Sequence, residues 1–383
     1  MTVILLILFY LFVPALILIL CRNNKIINKI GAIIIAYITG LIIGNIGILP
    51  ENVYNIQDTF VSVIIPLALP LLLITSNFRQ WVKTSGKTVI SLILGIISVI
   101  LPIVSGYFLF GKHIDEANKV SGMLVGVYTG GTPNLASIAT ALDVKPETYI
   151  MTHTYDMAIG AVFLLIVMTF GQKFFGHILP PYKPVGIYTD EENIKNEGTD
   201  YLRAFDKINL IRTLISFGIS IVIFAISFGI SQLFPKESLM LVIILSITTL
   251  SLAVSFLPNI HKLHTSFDLG MYFILIFSII VASMADIAKM NLTDIYLFSF
   301  IAMVVIGSLF IHVLLSAIFK IDVDNVLIVS TALTCSPPFV PVVAGALKNK
   351  EIIIVGIMVG IVGYAIGNYM GISMALILKG FTP

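Results

Sequence analysis

Uncharged apolar runs about 20 residues long recur along the whole chain, each closed by a short polar or charged turn. They fall at 2–21, 30–49, 59–78, 88–110, 120–142, 149–171, 210–234, 238–257, 267–285, 295–319, 325–347 and 352–378. A helix of about 20 residues spans a hydrocarbon layer about 30 Å thick, so the pattern predicts an all-α polytopic membrane protein. Composition agrees: 58% of residues are hydrophobic and 11% charged, a balance foreign to a soluble globule, and no separate soluble domain is left over. The expected location is the cell (inner) membrane, with the lipid bilayer as partner. A net charge of +2 gives no reason to expect a nucleic-acid partner.

The first run is expected to be a retained helix. "MTV" is not a basic leader, and Ile19 and Leu20 before Cys21 are not the small residues of a cleavage site. Cys21 and Cys335 have neither the count nor the spacing of a metal site or a disulfide framework. Neither a metal nor a cofactor is expected.

Residues 172–207 mix both charge signs with Pro-Pro and Asn-Glu-Gly breakers and read as a cytoplasmic linker. The expected organisation is a first membrane repeat at 1–171, the linker at 172–207 and a second repeat at 208–383. The halves compare best where the chain is least helical. "TGGTPNLASIATAL" (129–142) set over "TCSPPFVPVVAGAL" (334–347) pairs Thr129 with Thr334, Pro133 with Pro338, Ala139 with Ala344, Ala141 with Ala346 and Leu142 with Leu347. A short charged turn follows each, and each lies in the fifth run of its half.

Charge placement bears on how these runs lie. If all twelve crossed, the halves would be parallel repeats and the 22 Lys and Arg residues would divide evenly between the faces. If the fifth run of each half enters and leaves by one face, 16 lie inside and 6 outside, the asymmetry expected of short loops. The expectation is therefore two inverted repeats of about five to six hydrophobic segments, with a broken or re-entrant element in each. A merged helix in either half would restore the same parity, so the count supports inversion more than it supports hairpins.

Non-helical backbone at membrane depth is tolerated only where it is buried in protein or lines a wet cavity. Gly130 and Gly131 allow close approach, Pro133 removes a helical donor, and Thr132 and Asn134 set polar groups beside the break. Ser336, Pro337 and Pro338 hold the matching place in the second half. Half-helix ends meeting near the midplane offer polarised N–H groups to an anion and bare carbonyls to a cation. Close packing of small residues is the alternative.

The "TGGTPN" stretch, the later "SPP" element and the two-half layout resemble the membrane family called domain of unknown function 819. That family is similar in fold to the sodium–glutamate symporters and to the bile-acid symporter and cation–proton antiporter group. The resemblance covers nearly the whole chain. It implies an inverted-repeat secondary transporter with a core domain holding the broken elements and a second domain for scaffold or dimer contacts, so that a homodimer is compatible with it. "GGTPN" stands where the glutamate symporters carry glycine-histidine-glycine patterns, so glutamate itself is not implied.

Intramembrane ionisable residues mark function by default. Asp156, the only acid in "THTYDMAIGAVFLL", lies about one turn after His153. It suits ion coupling, by sodium or by a proton, with the aligned Thr129 and Thr334. The substrate set is Gly130, Gly131, Thr132, Pro133, Asn134, Ser336, Pro337 and Pro338, with Asn368 of "GYAIGNYMG" as an added ligand or packing glue. The expected function is symport of a small organic anion or amino-acid-like solute. A cation–proton antiporter is the alternative, disfavoured because Asp156 stands alone. An intramembrane enzyme using His153 and Asp156 would lack a third ligand, and no HExxH, GxSxG or P-loop pattern is present. His312 is expected to be a hydrogen-bonded structural histidine, Pro66 and Pro70 to kink the third run, and Asp286 and Lys289 to form a solvated pair.

Overall fold

The computed structural model describes residues 3–50, 53–75, 86–184, 201–235, 239–257, 260, 263, 265–285 and 294–381. Asp286, Lys289, Asn77, Arg79 and Lys83 lie outside them, as does most of the expected linker.

The described chain is helical throughout, as it must be where no water is present to satisfy backbone groups. In order the helices are α1 (Val3–Asn23), α2 (Lys25–Ile30), α3 (Ala32–Asn45), α4 (Val53–Leu73), α5 (Gly86–Phe110), α6 (Ala117–Gly130), α7 (Thr132–Ala141), α8 (Pro146–Ile166), α9 (Leu210–Ser231), α10 (Leu239–Ser255), α11 (Thr265–Met284), α12 (Ile295–Ile318), α13 (Val323–Thr334), α14 (Val340–Ala346) and α15 (Ile352–Lys379). A π-helical stretch, Val167–Gly171, carries α8 on to Phe175. Eight helical stretches among the described residues are long and apolar enough to cross a membrane. The protein is thus an all-α, multi-pass membrane protein. The fifth and eleventh runs are the broken ones, α6–α7 and α13–α14.

Two compact units cut across the sequence halves. The first comprises Met1–Val82, Pro184–Asp286 and Ala344–Glu351; the second comprises Lys83–Lys183, Ile287–Val343 and Ile352–Pro383.

In the first unit, α3 packs so closely on α11 that a β-carbon at Gly40 would meet the Ile279 carbonyl and one at Gly44 the Ser283 carbonyl. A buried polar triad ties three helices together: Tyr10 Oη to Ser283 Oγ at 2.8 Å, with Gln57 Nε2 donating to both at 2.9 Å. Pro66 and Pro70 lie inside α4 and loosen its hydrogen-bond ladder. The hydroxyls of Ser220 and Ser266 donate to the Leu67 and Leu71 carbonyls at 2.6 and 2.7 Å, supplying partners where the ladder is weak.

In the second unit, α5 and α12 run antiparallel. Lys87 Nζ at the start of α5 donates to the Lys320 carbonyl just past the end of α12 (3.3 Å), and Gly106 near the end of α5 meets Phe300 near the start of α12. His312 stitches this pair to α13: Nδ1 lies 2.7 Å from Ser330 Oγ, and Nε2 lies 3.0 Å from the Ser91 carbonyl. The expected structural histidine is what the structure shows. Between these points Gly307 faces Pro102: a β-carbon on the glycine would lie 3.6 Å from the Pro102 Cβ. Residues 102 and 307 are 205 apart, the same displacement that sets Thr129 over Thr334, so this contact joins two repeat-equivalent positions.

Candidate functional site

Both broken elements meet in the second unit. Helix α6 ends at Gly130, and the Gly131 N–H bonds the Val127 carbonyl at 2.7 Å. The backbone then turns at Gly131 (φ 82°, ψ −175°), and α7 begins with Thr132 and Pro133. Helix α13 ends at Thr334 with the Cys335 N–H on the Thr331 carbonyl at 2.8 Å; the chain turns at Ser336 (φ 78°, ψ 164°), and Pro337 and Pro338 open a short 3-10 turn into α14. Proline suits both restarts, where its missing N–H has no helical partner to lose.

The two turning residues touch. A β-carbon on Gly131 would lie 2.5 Å from Ser336 Cβ and 3.2 Å from its Oγ. They too are 205 apart, so the contact again joins two positions that the sequence alignment pairs. The Gly131 and Ser336 angles fall in a region almost reserved for glycine, and a serine held there stores about 1–3 kcal/mol of strain. The Ser336 side chain lies beside Tyr364 of α15.

The first broken element folds back on itself. Ile138 of α7 packs against Gly126 of α6, and Asn134 against Gly130. At its open end Lys119 Nζ donates to the Asp143 carbonyl (2.7 Å), Glu116 Oε2 accepts from the Lys145 N–H (2.9 Å), and Lys145 Nζ pairs with Asp115 (2.5 Å). Entry and exit therefore lie side by side. The second element does not close in this way: Val340 packs on Gly356 within the second unit, whereas Gly345 packs on Ile33 and Met271 in the first.

One face of α15 serves both elements. Gly356 lies against Val340 and Ile328, Gly360 against Pro337, Gly363 against the Thr129 carbonyl, Gly367 against Asn134 and Thr129 Oγ1, and Gly371 against Ile138. Spacings of three and four residues put these glycines on one helical stripe, which lets the side chains of the broken elements, and at Gly363 the Thr129 carbonyl, come close to the α15 backbone.

The expected site residues divide accordingly. Thr129, Gly130, Gly131, Asn134, Ser336 and Pro337 form the packed junction; Thr132 is exposed, Pro338 and Thr334 are buried, and the Pro133 side chain lies outside the described residues. Thr129 Oγ1 bonds its own helix at the Val125 carbonyl (2.7 Å), and Asn134 Nδ2 reaches the Tyr364 carbonyl at 3.4 Å. Asn368 Oδ1 is enclosed without a partner. With Gly131 and Ser336 abutting, no solute fits between them in this conformation.

Asp156 is buried, 9% exposed, and closes no ion pair among the described residues. His153, one turn earlier, stacks on Tyr149 at 6.0 Å instead, its Nδ1 enclosed without a partner. Tyr128, next to the break, lies near Asp156. Its hydroxyl is fully enclosed and closes no hydrogen bond of ordinary length and angle. Tyr128, Cys335 and Tyr364 were not singled out as site residues from sequence, although Tyr128 directly precedes "TGGTPN" and Cys335 lies within "TCSPP".

Residues 9–381 match the family described as Protein of unknown function (DUF819). The chain is also 26% identical over 364 residues to the Uncharacterized membrane protein YjcL of Bacillus subtilis (strain 168), an alignment covering 91% of this chain and 89% of that one. The family match takes in both broken elements, the α15 glycine stripe and Asp156, and the chain belongs to the DUF819 family of membrane proteins.

Proposed function

We propose that the protein is a secondary active transporter, a sodium- or proton-coupled symporter of a small organic anion or amino-acid-like solute, built from two inverted repeats. The observation that carries this is the Gly131–Ser336 contact: equivalent residues of two broken elements, both in glycine-type backbone, meeting at one point with a buried acid on the neighbouring α8. Broken helices at membrane depth belong where a solute or ion is handled.

Inversion is supported by the pairing of α5 with α12. Equivalent helices related by a two-fold axis along the membrane normal would run parallel, and these run antiparallel. The charged ends agree. Lys87 with Lys320 and Gln172 with Asp324 (2.7 Å) gather residues that the re-entrant scheme puts inside, while His113 stacked on Tyr296 (4.2 Å) and Lys119 beside Asp143 gather those it puts outside. Twelve crossings would separate Lys87 from Lys320. The fold-level likeness to sodium–glutamate and bile-acid symporters points the same way as an analogy of fold.

The solute site lies between the two broken elements, and parting of Gly131 from Ser336 opens the path. His153 and Asp156 carry no catalytic role. Reconstitution into vesicles tests the proposal. Labelled organic anions and amino acids should accumulate under an imposed sodium or proton gradient, and Asp156→Asn should abolish the dependence on that gradient while inserting normally. Gradient dependence unchanged in Asp156→Asn would remove Asp156 from the coupling.

A further inference from the structure

We propose that the second broken element is the moving one: α14 is a tether that carries displacements of the segment 344–351 to the Ser336 turn, while α7 stays fixed on α6. What the tether gates rests on the transporter reading above, which it deepens. That it acts on Ser336 does not.

The two arms, 131–144 and 336–349, are copies of one piece. Each opens with a bond back to its turning residue, the Asn134 N–H on the Gly131 carbonyl at 3.0 Å and the Phe339 N–H on the Ser336 carbonyl at 3.2 Å. Each ends in the same cap: the Val144 N–H bonds the Ala139 carbonyl and the Asn349 N–H the Ala344 carbonyl, both at 2.9 Å, around left-handed Asp143 (φ 50°) and Lys348 (φ 56°). All these pairs are 205 apart. What distinguishes the arms is therefore what they rest on.

Their footings are set by different glycines. On α6, Gly126 and Gly130 admit Ile138 and Asn134, whereas the positions 205 later on α13 are Thr331 and Cys335, whose side chains leave no such notch. The second arm has instead a glycine that the first lacks. Gly345 stands where α7 has the exposed Thr140, and a β-carbon on it would run into the side chains of Ile33 and Met271. The lysines that follow diverge in the same way. Lys145 pairs with Asp115 at the base of its own element, and its equivalent Lys350 lies over the Phe267 ring of α11, 4.2 Å from the centroid.

One short helix thus has two footings. At its start Pro337 lies on Gly360, Val340 on Gly356 and the Ser336 turn on Gly131; from Ala344 onward the chain is held by residues of α3 and α11. The boundary between the two compact units falls at Val343–Ala344, inside α14. A hydrogen-bonded helix does not yield at its middle, so a shift of its far end is taken up by the turns that flank it, Ser336 and Lys348, both at positive φ. Ser336 is the turn that meets Gly131. The first arm has no second footing of this kind, because its far end is clasped beside its own start.

Thiol labelling of the purified protein in a Cys21→Ser background tests this without any transport. The reporter is Cys335, next to the Ser336 turn, and the measurement is its rate of reaction with a maleimide. Lys350→Ala removes the Phe267 contact and should speed labelling about two- to fivefold, the factor that a partly exposed cation–π contact carries. Gly345→Val should act in the same direction, and Lys350→Arg, which keeps the contact, should label at the wild-type rate. Lys119→Ala loosens the base of the first element and should leave the rate unchanged, because Ile138 and Asn134 still hold α7 on α6. A rate unmoved by both Lys350→Ala and Gly345→Val, or raised equally by Lys119→Ala, would overturn the tether and leave the transporter reading standing. Absence of gradient-driven uptake by wild-type vesicles would overturn the transporter reading, while the labelling rates would still decide the tether.

Discussion

Gly131 and Ser336 turn the chain in nearly the same way, with φ of 82° and 78°, and abut so closely that a β-carbon on the glycine would fall 2.5 Å from that of the serine. Equivalent residues touch one another only near the axis that relates their repeats. Pro102 and Gly307 do so on the long helices, and Gly131 and Ser336 do so at the breaks. On the inverted-repeat reading proposed above, the axis relating the two repeats passes through the place where both helices are interrupted.

The first consequence concerns stability. Gly131→Ala adds a β-carbon in a backbone region that disfavours it and presses on Ser336, and should cost about 2 kcal/mol or more. Ser336→Gly relieves strain of about 1–3 kcal/mol, so it should be neutral or stabilising. In the double variant the clash is reduced, and thermal melting should show a smaller loss than the sum of the singles. Strict additivity would mean that the two residues do not press on each other.

Topology gives the second. Cysteines placed at Lys87 and Lys320 should react with an impermeant reagent only from the cytoplasmic side, and cysteines at Lys119 and Lys145 only from the outer side. Labelling of 119 and 145 from opposite faces would contradict a first element that returns to its own start.

The clasp at the base of that element gives the third. Burial opposes the charge on Glu116, but its bonds to Lys119 (2.6 Å) and to the Lys145 N–H, together with both ammonium charges, outweigh burial and hold its carboxyl below the ordinary range. A lowered carboxyl stabilises the fold above the unfolded pKa and loses that contribution as pH falls through the folded value. The clasp should therefore hold at neutral pH and release in acid. Glu116→Gln should lower stability by about 1 kcal/mol at pH 7 and flatten the acid side of the melting profile. An unchanged acid limb would show that Glu116 does not close the hairpin.

Much of this architecture was legible in the sequence. All twelve apolar runs contain helix, and the breaks fall where glycine and proline interrupt the fifth and eleventh. The alignment of Thr129 with Thr334 carries the displacement of 205 that the contacts obey. The partners across the break were not legible. Tyr128 and Cys335 sit in apolar runs where no local pattern marks them; only the fold brings Tyr128 near Asp156. The glycines at 356, 360, 363, 367 and 371 show a helical period, but period alone does not say that both broken elements lie against them. Nor does a linear pattern reveal units assembled from both halves, because such contacts depend on how distant segments pair.

Thiol accessibility tests the central claim, transport through the crossing, most directly. Replacing buried Cys21 by serine leaves Cys335 as the single thiol, next to the Ser336 turn. A transporter whose two broken elements part alternately must expose this thiol to each face in turn. An impermeant maleimide should therefore label Cys335 in intact cells and also in inverted membrane vesicles. Labelling confined to one face under every condition, or absent from both, would contradict the account.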